Sequence, residues 1–216
     1  MKPIFEYLST KVKSSIIKAT NDNIQQIVKD EIKYLGNEAD LNHIDVSEVT
    51  DMNHLFSSSK FNGDISGWNV GNVKNMDNIF LDSQFTGNIS NWDVSKVENM
   101  SGMFMYTEFN GDISEWDVSK VEDMSFMFFK SEFNSDISNW DVSNVDYMHC
   151  MFFKSKFNGD ISQWDVGNVK NMDRMFFNSK FNGDISKWNT NSLIYYNKIF
   201  DGCPLEKNPP KWYKNK

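Results

Sequence analysis

The stretch FNGDISEWDVSKVEDMSFMFFKSE, residues 109–132, is followed without a gap by FNSDISNWDVSNVDYMHCMFFKSK at 133–156 and FNGDISQWDVGNVKNMDRMFFNSK at 157–180. The three rows have one length, 24 residues, and one pattern of Phe, Ile, Trp, Val and Met. Extended in both directions, the register opens rows at Phe61, Phe85, Phe109, Phe133, Phe157 and Phe181. All 7 tryptophans fall in one column: Trp68, Trp92, Trp116, Trp140, Trp164, Trp188 and Trp212. Val73 through Val169, Met52 through Met172 and Phe56 through Phe200 hold three more columns at the same step. A partial row with Leu41 and Ile44 precedes the array, and a degenerate one with Leu205 and Pro209 follows it.

Units of this kind cannot each bury an apolar face alone and must stack on their neighbours. The expected fold is a repeat solenoid, leucine-rich-repeat-like (α/β), with short parallel β-strands and short helical turns in every coil. Ile65, Trp68 and Val70, flanked by polar residues, predict the strand; successive strands would pair about 4.8 Å apart. Ser101 and its counterparts Asp77, Ser125 and Asp173 are N-capping types, and they predict a short helix or 3₁₀ turn with its Met-Phe pair inward. Asn62-Gly63, Asn110-Gly111, Asn158-Gly159 and Asn182-Gly183 predict coil corners with positive φ at glycine.

The terminal coils of such a stack need covers. Ile24, Ile27, Val28, Ile32 and Leu35 recur at helical spacing between a cap at Thr20 or Asn21 and a stop at Gly36, with Asp22 in the first turn. Ile4, Phe5, Leu8, Val12 and Ile16 suggest an earlier helix. The chain then divides into a helical N-terminal cap at 1–40, about seven coils at 41–204 and a C-terminal cap at 205–216. Capping is the preferred reading of the helix over partner docking. Pro204, Pro209 and Pro210 end regular pairing at the far side.

The FNGDISxWDVSxVxxMxxMF repeat resembles the DUF285 family, related to the BspA-type leucine-rich repeats of bacterial surface antigens and mycoplasma lipoproteins. The resemblance covers roughly residues 41–205. It implies a leucine-rich-repeat-like solenoid and no catalytic residues, because the family has no established active site. BspA-type members are typically exported and adhesive, whereas the first residues here, MKPIFEYLSTKVKSS, contain no apolar run of signal-peptide length. Similar short leaderless repeat proteins are encoded by phages and prophages. The expected location is therefore cytoplasmic or virion-associated, with no membrane insertion.

Composition narrows the function classes. With 18 Phe, 7 Trp and 12 Met the chain is no disordered tail. Its 30 acidic against 22 basic side chains argue against nucleic acid as a partner, because phosphate attraction needs a basic face. Neither a disulfide framework nor a proline-rich linker fits 2 Cys and 4 Pro. Cys150 and Cys203 lie two coils apart, about 10 Å along the axis. A disulfide needs Cα atoms within about 7 Å. Two free thiols are expected, Cys203 filling the small-residue column of Ser131, Ser155 and Ser179.

Two acidic ladders stand out: Asp64, Asp112, Asp136, Asp160 and Asp184, and Asp93, Asp117, Asp141 and Asp165. Calcium needs six to eight converging oxygens, and bulky apolar residues separate these carboxylates, so turn-capping is expected and no metal. A repeated ladder gives every rung one environment, whereas acid–base pairs need two. His43, His54 and His149 lack ligand spacing, and no nucleophile triad, HExxH or phosphate loop is visible. The expectation is no enzyme and no cofactor.

The column after the Met-Phe pair reads Leu81, Met105, Phe129, Phe153 and Phe177. With Tyr106 and Phe126 it forms a candidate aromatic ridge outside the coils, where an exposed apolar strip would meet a partner. The preferred reading is that these rings tuck over the coil edge and complete the core, with the binding ridge as the alternative. The functional expectation is a non-enzymatic protein–protein interaction or scaffold module. The alternatives are a structural component of a larger particle, such as a virion or surface assembly, and an adhesin.

Overall fold

A computed structural model describes residues 16–214. Its regular elements are few: β1 (Ile17–Lys18), α1 (Ile24–Leu35), β2 (Ile44–Asp45), a 3₁₀ helix (Pro204–Lys207) and α2 (Lys211–Lys214). β1 and β2 pair in parallel, with Ile17 opposite Ile44. From there each row pairs with the next through single-residue parallel bridges. They run from Asp51 to Asn75, Asn99, Asp123, Tyr147, Asn171 and Tyr195, always one repeat apart. Among the described residues no helix is long and apolar enough to cross a membrane.

The repeating apolar columns form one core. Phe80, Phe104, Phe128, Phe152 and Phe176 stack ring on ring, with centroids 5.7–5.8 Å apart along the column. A second phenylalanine column interleaves with it: Phe109 lies 4.3 Å from Phe104, and Phe133 lies 4.1 Å from Phe128. Each such pair adds about 0.5–1.5 kcal/mol beyond the area it buries. The tryptophans bury an N–H as well as a ring, and that donor needs a partner. Trp116 Nε1 donates to the Ile89 carbonyl at 3.2 Å and Trp140 Nε1 to Ile113 at 3.0 Å, each reaching into the row before. Trp212 continues this pattern outside the regular array, donating to Ile185 at 2.8 Å and stacking on Trp188.

The strand expected at Ile65–Val70 is absent. That segment is a pair of turns, in which Trp68 N donates to Ile65 O and Val73 N to Val70 O. Side-chain oxygens bend the chain there: Asp64 Oδ1 accepts from Ser66 N at 2.9 Å, and Asn69 Oδ1 accepts from Gly71 N at 3.2 Å. Such local bonds compete with a ladder and win here. The inter-row bridge sits instead one residue before the methionine column.

The short helical turn is also replaced, although Met103 and Phe104 do point inward and are fully buried. Alternate backbone N–H groups leave the row: Asn78, Phe80 and Asp82 donate to Ser101, Met103 and Met105 of the next row. The residues between them, Ile79, Leu81 and Ser83, close turns onto their own row three residues back. A helix would spend every N–H on itself, so it cannot serve both purposes. The backbone accommodates both by placing two residues per row in the left-handed region. Among the described residues, twelve non-glycine residues adopt it, with φ between 52° and 61°, including Phe126, Lys130, Cys150, Lys154 and Arg174.

Conversely, Gly63, Gly111, Gly159 and Gly183 do not have positive φ, contrary to the corner reading. What excludes a side chain is space. A Cβ on Gly111 would lie 2.8 Å from the Phe109 ring, and one on Gly63 would also meet the Ala39 backbone. The preceding asparagines form a ladder of their own: Asn134, Asn158 and Asn182 N–H groups donate to Asn110, Asn134 and Asn158 Oδ1, each at 2.7 Å.

At the first row α1 buries Ile24 and Val28, while Leu35 stays exposed. Gly36 ends the helix with φ 98°. The start differs from expectation. Asn23, not Thr20 or Asn21, precedes the first turn, no side chain caps it, and Asp22 lies before it. Asn21 is occupied elsewhere: its Oδ1 accepts from Thr50 N at 2.8 Å and Asp51 N at 3.2 Å. The helix suggested by Ile4 to Ile16 falls outside the described residues except for Ile16, which is exposed. Cys150 and Cys203 are free, buried thiols, and burial raises the pKa of both.

Candidate functional site

The turn ribbon that carries the left-handed residues also carries the ridge. In each row the phenylalanine of the core points inward and the next residue turns outward, half-buried, so the column is set by the stacking of the rows beneath it. Tyr106 meets Phe129 edge-on at 5.3 Å. Phe129 stacks on Phe153 at 4.5 Å and 6°, and Phe153 stacks on Phe177 at 5.0 Å and 7°. Phe126 lies beside this line, 5.8 Å from Phe129. All five sequence-predicted site residues therefore come together in one continuous aromatic strip. Phe126, Phe129, Phe153 and Phe177 are half-buried, and Tyr106 is 42% exposed. Leu81 and Met105 extend the strip toward the first rows, where with Ser58, Asp82 and Tyr106 they line an open recess.

Cations border the rings. Lys130 Nζ lies 5.0 Å from the Tyr106 centroid and 5.6 Å from that of Phe129, and Lys154 Nζ lies 5.6 Å from Phe153. Contacts of this kind at exposed sites are worth about 0.5–1 kcal/mol and leave the ammonium open to water. The lysines were not singled out from the sequence. Their signal was the column of Tyr106, Lys130 and Lys154, one position beyond the phenylalanines.

The two aspartate ladders are turn caps. Asp112, Asp136, Asp160 and Asp184 accept through Oδ1 from the backbone N–H two residues on, at 2.9–3.0 Å. Asp93, Asp117, Asp141 and Asp165 do the same at 3.0–3.1 Å. The serine backbone N–H is the main cause holding the carboxyls of Asp64, Asp112, Asp136, Asp160 and Asp184 below the usual carboxylate range. For Asp93 and Asp141 the serine hydroxyl contributes most. Among the described residues, no group of three or more His, Cys, Asp or Glu converges as a cation-holding cluster.

One polar pairing was invisible in the linear sequence. Ser125 Oγ and His149 Nδ1 approach to 2.7 Å because they share a column in adjacent rows. Desolvation lowers the His149 pKa, against the pull of Asp123 and Asp173. Ser125 is 1% exposed, so its hydroxyl is closed to a substrate, and the pair fixes the imidazole edge-on to Phe126 at 4.7 Å. Of the ridge it touches Phe126.

Neither a curated protein nor a solved structure matches the chain. The family model described as Mycoplasma protein of unknown function, DUF285, matches it twice, over residues 22–132 and 105–212. Those two spans take in every complete row and the helix before them, and the chain belongs to the DUF285 family.

Proposed function

We propose that residues 41–204 form a leucine-rich-repeat-like solenoid, covered by a helical cap within 1–40 and a second cap within 205–216. It works as a non-enzymatic protein–protein interaction or scaffold module, cytoplasmic or virion-associated. The observation that carries this reading is the aromatic strip from Tyr106 through Phe129 and Phe153 to Phe177, built outside the core and half open to water. A rigid stack that repeats one apolar column along its surface favours recognition by many small contacts. A photo-crosslinking residue placed at Tyr106, and separately at Asn139 on another face, tests it in native cells. Protein adducts concentrated at Tyr106, and reduced by Phe177→Ser, fit the reading; equal yields from both positions would overturn it.

A second reading, a structural component of a larger particle, draws on the last row. Ile194 and Tyr195 are 61% and 53% exposed there, although the column of Ile194 is otherwise polar or charged. Sedimentation separates the two: stable oligomers support the particle, and a lone monomer supports the free module.

A further inference from the structure

The ridge is flanked by charge opposite to that of the molecule. Across residues 102–108, 126–132, 150–156 and 174–180, the rows that carry the rings, Lys130, Lys154, Lys156, Arg174 and Lys180 stand against two acids, Glu108 and Glu132, in a chain of net charge -8. Asp82 and Asp201 mark the two ends of the strip. That is five positive charges against two negative along the rings, and Glu132 is already held by Lys156 at 2.7 Å. Exposed acids such as Asp112, Glu115, Asp136, Asp160 and Asp184 lie elsewhere, on the turn segments around the tryptophan column. The Phe129–Phe153–Phe177 part of the strip therefore presents an apolar line bordered by cations on an acidic protein, with the acids Asp82 and Asp201 only at the ends of the column.

The rings refine the chemistry. Phe129, Phe153 and Phe177 spend their faces on one another, at 4.5 Å and 5.0 Å, and present their edges outward. Ring edges carry the positive end of the aromatic quadrupole, so they and the lysines both favour carboxylates. Nucleobases need free ring faces on which to stack, and Phe153 has both of its faces covered by Phe129 and Phe177.

We propose that this strip docks an acidic protein segment bearing aliphatic or aromatic side chains, laid along the Phe129–Phe153–Phe177 line with its carboxylates on Lys130, Lys154 and Arg174. The proposal rests on the ridge being the interaction surface and adds the nature of the partner. The test is fluorescence anisotropy with three labelled probes: a short peptide alternating Glu and Leu, its Lys-for-Glu counterpart, and an oligothymidylate. The Glu–Leu peptide should bind at least about tenfold more tightly than the Lys–Leu peptide. Its affinity should fall by about tenfold in a Lys130→Glu, Lys154→Glu double variant and with rising salt. Both substitutions replace exposed side chains, and an unchanged melting curve verifies the fold; Phe177→Ser supplies an apolar counterpart that should also weaken binding. Equal binding of the two peptides, tighter binding of oligothymidylate, or self-association abolished by the double variant would each overturn the proposal. If only the partner chemistry fails, crosslinking at Tyr106 persists while the acidic peptide does not bind. If the ridge itself fails, the peptide binds equally to the ridge variants and the parent.

Discussion

The Asn21 side chain takes the place at Thr50 that the backbone of a preceding row holds elsewhere. Its Oδ1 accepts from Thr50 N at 2.8 Å and from Asp51 N at 3.2 Å. One row further on, the Thr50 carbonyl accepts from Lys74 N at 2.8 Å and Asn75 N at 3.3 Å, an equivalent pair of bonds. Gln25 does the complementary task, donating from Nε2 to the Asn53 carbonyl at 2.7 Å. The corresponding Asp77 carbonyl receives the His54 N–H of the row before it. The first row is thus closed by the backbone of β1 along β2 and, at Thr50, Asp51 and Asn53, by side chains that imitate backbone.

Removing that imitation leaves edge donors to water. Asn21→Ala removes both bonds and should destabilise the protein by about 1–3 kcal/mol, at the usual net value of about 0.5–1.5 kcal/mol for each. Asn21→Asp, which keeps the acceptor, should retain most of the stability. Urea denaturation of the two variants checks the ordering.

Phe128 is fully buried and lies between Phe104 and Phe152, with Phe133 at 4.1 Å. Phe128→Ala should cost roughly 3–5 kcal/mol, because rows locked above and below cannot close the cavity. A loss below about 1 kcal/mol in chemical denaturation would contradict the packing described.

Glycine is needed where φ is ordinary and is missing from most positions where φ is positive. Lys198, at φ 55°, is exposed. Lys198→Gly relieves about 1–2 kcal/mol of left-handed strain against about 0.5–1 kcal/mol of added chain entropy, a small net gain. Gly111→Ala should instead destabilise by about 1–3 kcal/mol, since its methyl meets the Phe109 ring. Melting temperatures moving in opposite directions would bear out this division.

The aspartate turns make stability acid-sensitive with a definite sign. Their folded pKa values lie below the unfolded value of about 3.9. The contribution is present above that value and is lost as pH falls through the folded pKa. Asn88 shows that asparagine keeps the turn, accepting from Ser90 N at 3.0 Å. Replacing Asp112, Asp136, Asp160 and Asp184 together by Asn should preserve the fold at neutral pH and flatten the drop in melting temperature between neutral pH and pH of about 3.

The core was legible because its columns are chemical: Trp116, Met124 and Phe128 announce themselves by residue type at a constant step, and all are buried. The position of the ridge was legible for the same reason, as a column of phenylalanines; its half-exposure was not, because that depends on how the rows stack. Backbone conformation was not. Ile65, Trp68 and Val70 have the spacing of a short strand, yet Asp64 and Asn69 fold the segment into turns through their side-chain oxygens. The Asp-x-Ser recurrence carried that signal. Positive φ at Phe126, Lys130 and Arg174 has no local signal, because it follows from bonds to the neighbouring row rather than from the residue itself. The Ser125–His149 contact likewise exists only once rows are stacked.

Stacking is also the claim to measure directly. Spin labels replacing Ser192 together with Lys96, Asn72 or Glu48, all exposed in one column, report the rise per row after Cys150 and Cys203 are changed to Ser. Rows that pair in parallel should give pulsed-resonance distances of about 19, 24 and 29 Å, growing by about 4.8 Å with each repeat. Distances that fail to increase in order along the chain would contradict the stacked-row account.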